Sequence, residues 1–175
     1  MAIIRKALEW DIPGVVRIYE RIIALEETEG SLTGWKRGIY PTERTAAEAV
    51  DSGTMFVCEE AGKIVAAARM DHIQAPEYAE CRWECDTADN RIMVLHTLVV
   101  APDMYGKGYG SMMLDFYERY AIDRECTCLR IDTNIKNIPA RSMYIKHGYR
   151  EAGIVDCSFK GIKDVQLICF EKNLA

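Results

Sequence analysis

Apolar residues recur along the chain with two different periods, and each period marks a different kind of element. Runs rich in β-branched and aromatic residues predict strands over Ile3–Leu8, Met55–Glu59, Lys63–Met70, Ile92–Val100 and Cys128–Asp132. Glu60-Ala61-Gly62 joins two of these as a hairpin with glycine in its turn. Val15, Ile18, Tyr19, Ile22 and Leu25 recur at helical spacing, so a first helix runs to Glu26, with Asp11 as N-cap and Pro13 in its first turn. Thr42 caps a second helix over 43–52 that turns Ala46, Ala49 and Val50 inward. Met113, Phe116, Tyr117, Tyr120 and Ala121 make a third helix, ending near Asp123-Arg124. A fourth starts at Asn137, carries Pro139 in its first turn and stops at Gly148 in the C′ position. Segments 28–41 and 75–90 fit neither period.

The central apolar strand stops at Ala101-Pro102, and a glycine loop leads straight into the third helix: Tyr105-Gly106-Lys107-Gly108-Tyr109-Gly110-Ser111. A helix start exposes unpaired N–H groups and the positive end of the helix dipole. Glycines let the backbone approach an anion closely. Strand, glycine loop and helix start together make a phosphate cradle for a nucleotide-like cofactor, with a plain tight turn as the alternative. No Gly-Lys pair is followed by Ser or Thr, so the loop is not a P-loop, and the third glycine of a dinucleotide fingerprint is missing.

The loop instead resembles the acetyl-CoA pyrophosphate loop of the GNAT superfamily of N-acetyltransferases, Arg/Gln-x-x-Gly-x-Gly/Ala, with the final glycines on Gly108 and Gly110. Tyr105 stands at the leading Arg/Gln position, a departure that leaves the backbone contacts intact. Downstream, Asn137, Ala140, Tyr144, Gly148 and Tyr149 match the family segment Asn-x-x-Ala-x-x-x-Tyr-x-x-x-Gly-Phe, with Tyr149 for the Phe. The two motifs stand in the family's order, and the resemblance extends along the whole chain to two final strands near 149–158 and 163–171. The resemblance implies an α+β (α/β) GNAT acyl-CoA N-acyltransferase fold, with a mixed, mostly antiparallel sheet of about 6–7 strands flanked by about four helices. No repeat, low-complexity tract or linker divides the chain, so a single domain over 1–175 is expected.

The resemblance also implies roles. Backbone N–H groups of Tyr105, Gly106, Lys107, Gly108, Tyr109, Gly110 and Ser111 would hold the pyrophosphate of acetyl-CoA, the cosubstrate. Leu98, Val99 and Val100 would pair with the pantetheine arm as a pseudo-strand, and an N–H from the same strand would polarise the thioester carbonyl. Asn137, with Ala140 on the same helix face, would contact that arm. Tyr144 matches the family's general acid; an unperturbed phenol, with a pKa of about 10, is protonated at neutral pH and can donate to a departing thiolate. His96 stands where many members carry a Glu or Asp base, and a neutral imidazole there can accept the acceptor's proton. The bland readings stay open: Tyr144 as helix packing, His96 as a satisfied core histidine. No cysteine is placed by a motif as a nucleophile, so the expected reaction is direct attack of an amine in a ternary complex. A non-catalytic CoA-binding module of the same fold is the alternative. A nucleotide-phosphate enzyme is disfavoured by the missing P-loop pair.

Charge and composition narrow the partners. The 175 residues are 49% hydrophobic and 28% charged, with net charge -5 and pI about 5.3. An acidic chain disfavours nucleic acid and leaves a basic acceptor open. In the family the loop between the first two helices covers the amine site, and here it carries Trp35, Ile39 and Tyr40. These aromatics either cap the core or line the acceptor pocket. Segment 75–90 carries Glu77, Glu80, Glu84, Asp86 and Asp89 against Arg82, the pattern of a solvated flap, an insertion or an extended hairpin. The expected acceptor is a primary amine, small or on a peptide, with a homodimer left open. The N-terminus has no long apolar h-region and no apolar run reaches the ~20 residues of a membrane span. Seven cysteines, an odd number, are expected as reduced thiols of a cytoplasmic protein. Cys81 and Cys85 with His72 fit no common zinc spacing, so no metal is expected.

Overall fold

A computed structural model describes residues 1–159 and 161–174. Its elements are β1 (Ile3–Lys6), α1 (Ile12–Glu29), α2 (Glu43–Asp51), β2 (Met55–Glu60), β3 (Lys63–Asp71), β4 (Ile92–Val100), α3 (Tyr109–Ile122), β5 (Cys128–Asn134), α4 (Ile138–Lys146), β6 (Arg150–Phe159) and β7 (Ile162–Asn173). The seven strands make one sheet in the order β1-β2-β3-β4-β5-β7-β6. β4 runs parallel to β5, whereas β1–β2, β2–β3, β5–β7 and β6–β7 are antiparallel. This mostly antiparallel sheet with four helices is the GNAT architecture expected above. Packing divides the chain into two compact units: Met1–Ser31, Trp35–Met70 and Thr97–Phe116; and Leu32–Gly34, Asp71–His96 and Tyr117–Ala175.

In the first unit α1 buries Val15, Ile18, Tyr19 and Ile22, and α2 buries Ala46 and Ala49, against Met55, Val57, Ala67, Val99 and Ala101. Burying each larger aliphatic side chain contributes about 1.5–3 kcal/mol. Thr42 caps α2, accepting from Thr45 N at 3.4 Å. Asp11 does not cap α1 with its side chain. Its carboxylate instead accepts from Leu8 N at 2.8 Å and from both terminal nitrogens of Arg5 at 2.7 and 2.9 Å. The helix continues past Glu26 to Glu29, because Glu27, Thr28 and Glu29 face water without cost, and Gly30 ends it by bonding Glu26 O at 3.0 Å. Between Glu60 and Lys63, which pair, Ala61 and Gly62 both have positive φ, 49° and 74°, as a two-residue hairpin turn requires.

In the second unit β5 lies between β4 and β7, so Cys128, Leu129, Arg130 and Ile131 are all buried. The parallel register runs from Ile92↔Cys128 to Leu95↔Ile131. Tyr117 of α3 reaches into this layer, its hydroxyl donating to Met93 O at 2.5 Å. Segment 75–90 is neither a hairpin nor a solvated flap. It forms short 3-10 turns at Pro76–Glu80 and Asp89–Arg91 with extended chain between them. Tyr78 is buried, and Trp83 packs 4.0 Å over the Arg130 guanidinium. Glu80, Glu84, Asp86 and Asp89 face outward and Glu77 is half-buried, taking the Cys157 thiol at 3.6 Å, while the interleaved aromatics and Cys81 and Cys85 face the sheet, which the charge count alone conceals.

Candidate active site

The first unit holds the glycine loop. Ala101 N bonds Val65 O at 2.8 Å, tying the end of β4 to β3. A 3-10 turn over Pro102–Met104 follows, and Lys107 N bonds Met104 O at 3.4 Å. Gly106 and Gly108 have φ of +74° and +88°, which only glycine adopts without strain, and a Cβ at either would meet nothing within 4 Å. The first helical bond of α3 runs from Met112 N to Gly108 O at 2.9 Å. Among the described residues the N–H groups of Gly108, Tyr109, Gly110 and Ser111 therefore have no acceptor. The Tyr109 hydroxyl donates to the Glu60 carboxylate, so its side chain anchors the loop to the β2–β3 turn while its N–H stays open. Tyr105 and Lys107 are exposed. Leu98 and Val100 are half-buried, and Val99 is in the core.

The same unit holds the aromatic loop. Trp35 stands edge-on between Tyr19 and Tyr40, ring centroids at 6.3 and 6.0 Å, and packs on the first core while remaining half-exposed. The Tyr40 hydroxyl is hydrogen-bonded to the Thr97 hydroxyl. Thr97 lies inside β4 at φ 51°, a left-handed conformation that costs a β-branched residue about 1–3 kcal/mol. The kink separates His96 from the Leu98–Val100 run, and no apolar pattern announces it.

His96, Asn137, Ala140 and Tyr144 belong to the second unit. His96 Nε2 lies 3.1 Å from Asp71 Oδ1, and Asp71 also accepts from Ile73 N at 2.7 Å. A carboxylate only accepts, so Nε2 carries a proton and donates to Asp71; in the neutral imidazole Nδ1 is then the nitrogen with the lone pair. Register places Asp132 beside His96 on one sheet face, because Leu95 pairs with Ile131. Tyr78 donates to Asp132 Oδ2 at 2.6 Å. Burial pushes the Asp132 pKa up and Glu77 adds to it; the Tyr78 bond and His96 pull it down. Asp71, Tyr78 and Asp132 are the residues that sequence reasoning missed. The only signal for them was alternation along β5 and the acidic end of β3.

On α4 the Asn137 side chain caps the helix, accepting from Ala140 N at 3.3 Å, which leaves its NH₂ group for other partners. Gly148, at φ +83°, ends the helix, and Tyr149 N bonds Tyr144 O at 3.1 Å. That cap sets Tyr149 and Tyr144 6.2 Å apart, with Phe170 5.5 Å from Tyr144 on another side. The Tyr144 ring is 4% exposed. Burial, then Asp132, raises the pKa of its hydroxyl, which has no hydrogen-bond partner among the described residues. It is a protonated donor without an acceptor. His72 is used elsewhere, its Nδ1 2.7 Å from Ile92 O. No helix among the described residues is long and apolar enough to cross a membrane.

Comparison with known proteins assigns the family of this seven-stranded sheet and its four helices. The acetyltransferase (GNAT) family model matches residues 19–149, so the chain belongs to that family. A streptothricin acetyltransferase from Escherichia coli is 28% identical over 71 residues, 41% of this chain and 41% of the relative. An uncharacterized N-acetyltransferase, MJ1207, from Methanocaldococcus jannaschii is 24% identical over 115 residues, 66% of this chain and 47% of the relative. The chain thus matches less than half the length of these curated relatives. In fold, a GNAT-family acetyltransferase from Streptococcus agalactiae superposes with TM-score 0.81 at 20% identity, covering 98% of this chain and 95% of that one.

Proposed function

We propose that the chain is an acetyl-CoA-dependent N-acetyltransferase acting on a primary amine, with residues 1–175 as one catalytic domain. The observation that carries this reading is the run of N–H groups at the start of α3 without acceptors, behind two positive-φ glycines. Such a run fits a pyrophosphate, because it offers aligned donors and a dipole at no reorganisation cost. Bound acetyl-CoA supplies the activated acyl thioester. N–H groups from Tyr105 to Ser111 hold its phosphates, the Leu98–Val100 backbone pairs with its pantetheine arm, and Asn137 contacts that arm from the face it shares with Ala140. A β4 N–H polarises the carbonyl under attack.

Asp71 holds the His96 imidazole so that Nδ1 accepts the proton of the acceptor ammonium, which frees the nitrogen lone pair for attack. Tyr144 donates its proton to the leaving sulfur. Its raised pKa keeps it protonated throughout the neutral range. The half-exposed Trp35 and Tyr40 make the apolar wall of the acceptor site. The Asp132 carboxylate, which takes the Tyr78 hydroxyl on Oδ2, suits the cationic end of the acceptor. The streptothricin-modifying relative is consistent with a small-molecule amine.

Thiol release from acetyl-CoA, measured over a panel of primary amines, polyamines and peptide N-termini, tests the proposal. Transfer to at least one amine is expected. CoA binding with no transfer to any acceptor would make the chain the non-catalytic CoA-binding module instead.

A further inference from the structure

Four of the seven cysteines fall into two pairs where segment 75–90 crosses the sheet. From Cys81 to Ala88 exposure alternates strictly, half-buried then exposed, the signature of extended chain with Cys81, Trp83 and Cys85 on its inner side. On the sheet beneath, Cys128, Arg130 and Asp132 share one face of β5, and Cys169 lies opposite Asp132 on β7. Four residues of extended chain span about 13 Å, both from Cys81 to Cys85 and from Cys128 to Asp132. The two rows therefore match step for step. Trp83 sits over Arg130 at 4.0 Å, fixing the register in the middle. At one end Cys81 meets Gly153, where an added Cβ would lie 3.5 Å from the Cys81 Cα and Sγ, and Gly153 pairs with Cys169. At the other end the Cys85 and Cys128 sulfurs lie within 4.8 Å of one another. All four thiols are free.

We propose that this segment is an oxidative modification site, in which a low-molecular-weight disulfide joins Cys81 to Cys169 and Cys85 to Cys128. In each pair the half-buried cysteine of the segment attacks first. Its sulfur bonds one sulfur of the small disulfide, and the other leaves as a thiol, taking the proton. The buried sheet cysteine then attacks the mixed disulfide, forming the protein S–S bond and releasing the second small thiol. Each link thus consumes two protein thiols and one small disulfide and yields two small thiols. Burial raises the pKa of all four thiols, so both steps are slow while the segment lies closed. A metal ion is a poorer occupant. Glu171, the carboxylate nearest Cys85 and Cys128, already takes Glu84 N at 2.6 Å, Cys85 N at 3.3 Å and the Arg150 guanidinium. The links would clamp the segment carrying Tyr78, the partner of Asp132.

The test is to incubate the full chain with oxidised glutathione, alkylate the remaining thiols and map peptides by mass spectrometry. The expected product has lost about 4 Da before alkylation and contains the 81–169 and 85–128 cross-links. Trypsin cleavage after Arg82 is expected to slow about tenfold or more, since the cross-linked segment no longer opens locally. Cys81→Ser should keep only the 85–128 link, and Cys128→Ser only the 81–169 link. Glutathione adducts without cross-links, or links to Cys58, Cys126 or Cys157 instead, would overturn the proposal. The mapping of the unmutated protein decides the matter even if a variant fails to fold.

Discussion

Replacing Tyr144 with Phe separates the proposed catalytic role from packing, because the ring makes the contacts and the hydroxyl is the proposed proton donor. The ring is 4% exposed and held by Tyr149 and Phe170, with centroids at 6.2 and 5.5 Å. The substitution keeps that ring and every contact it makes. The hydroxyl has no hydrogen-bond partner among the described residues, so its loss orphans nothing, and stability should change by less than about 1 kcal/mol. In a chain of 175 residues that is a shift in Tm of no more than about 4 °C. General acid catalysis by a positioned side chain is worth about 10²–10⁴-fold, which is about 3–5 kcal/mol of transition-state stabilisation. Turnover should therefore fall by two to four orders of magnitude while Tm and acetyl-CoA affinity barely move. The assay is thiol release under saturating acetyl-CoA and acceptor, with calorimetry for cofactor binding and a thermal melt for folding. A stable variant with wild-type turnover would refute the assignment and leave Tyr144 as a packing residue.

Gly108→Asp places a charge and a Cβ at φ +88° where nothing lies within 4 Å. The protein should fold at a cost of about 1–2 kcal/mol in backbone strain, yet lose CoA binding by calorimetry; unchanged affinity would remove the loop from the site. His96→Gln should abolish the acid limb of the rate profile. Asp71→Asn, which removes the carboxylate that accepts from His96 Nε2, should lower turnover, and an unmoved limb in the His96 variant would dismiss His96 as base. Asp132→Asn should raise the acceptor KM and, at neutral pH, stabilise the fold. Burial raises the Asp132 pKa in the folded state, so its contribution is fully present below the unfolded value of about 3.9 and is lost as pH rises through the folded value. The gap in urea midpoint between variant and wild type should therefore widen from acid to neutral pH, and a gap independent of pH would contradict the burial of this carboxylate.

The linear order of residues determined most of the fold. Apolar patterns located the first five strands and the four helices, since backbone geometry ties each period to one element whatever surrounds it, and the family resemblance supplied the last two strands. The Gly106-to-Ser111 loop and the Asn137-to-Gly148 helix were legible for the same reason: capping and positive φ are local demands, met by residues adjacent in the chain. What a side chain touches across the sheet is not local. Asp11 reads as a helix cap and is taken instead by Arg5, six residues away in sequence and brought close only when β1 forms. Segment 75–90 reads as a solvated acidic flap, because composition counts Glu77, Glu80 and Glu84 and does not show that Tyr78, Trp83 and the cysteines alternate with them against β5 and β7. The pairing of His96 with Asp71, the Tyr78 bond to Asp132 and the left-handed Thr97 all depend on strand register. Register is chosen by the burial of the whole sheet and not by any single strand, so only the tertiary structure decides that His96 meets Asp71 and that Tyr78 meets Asp132.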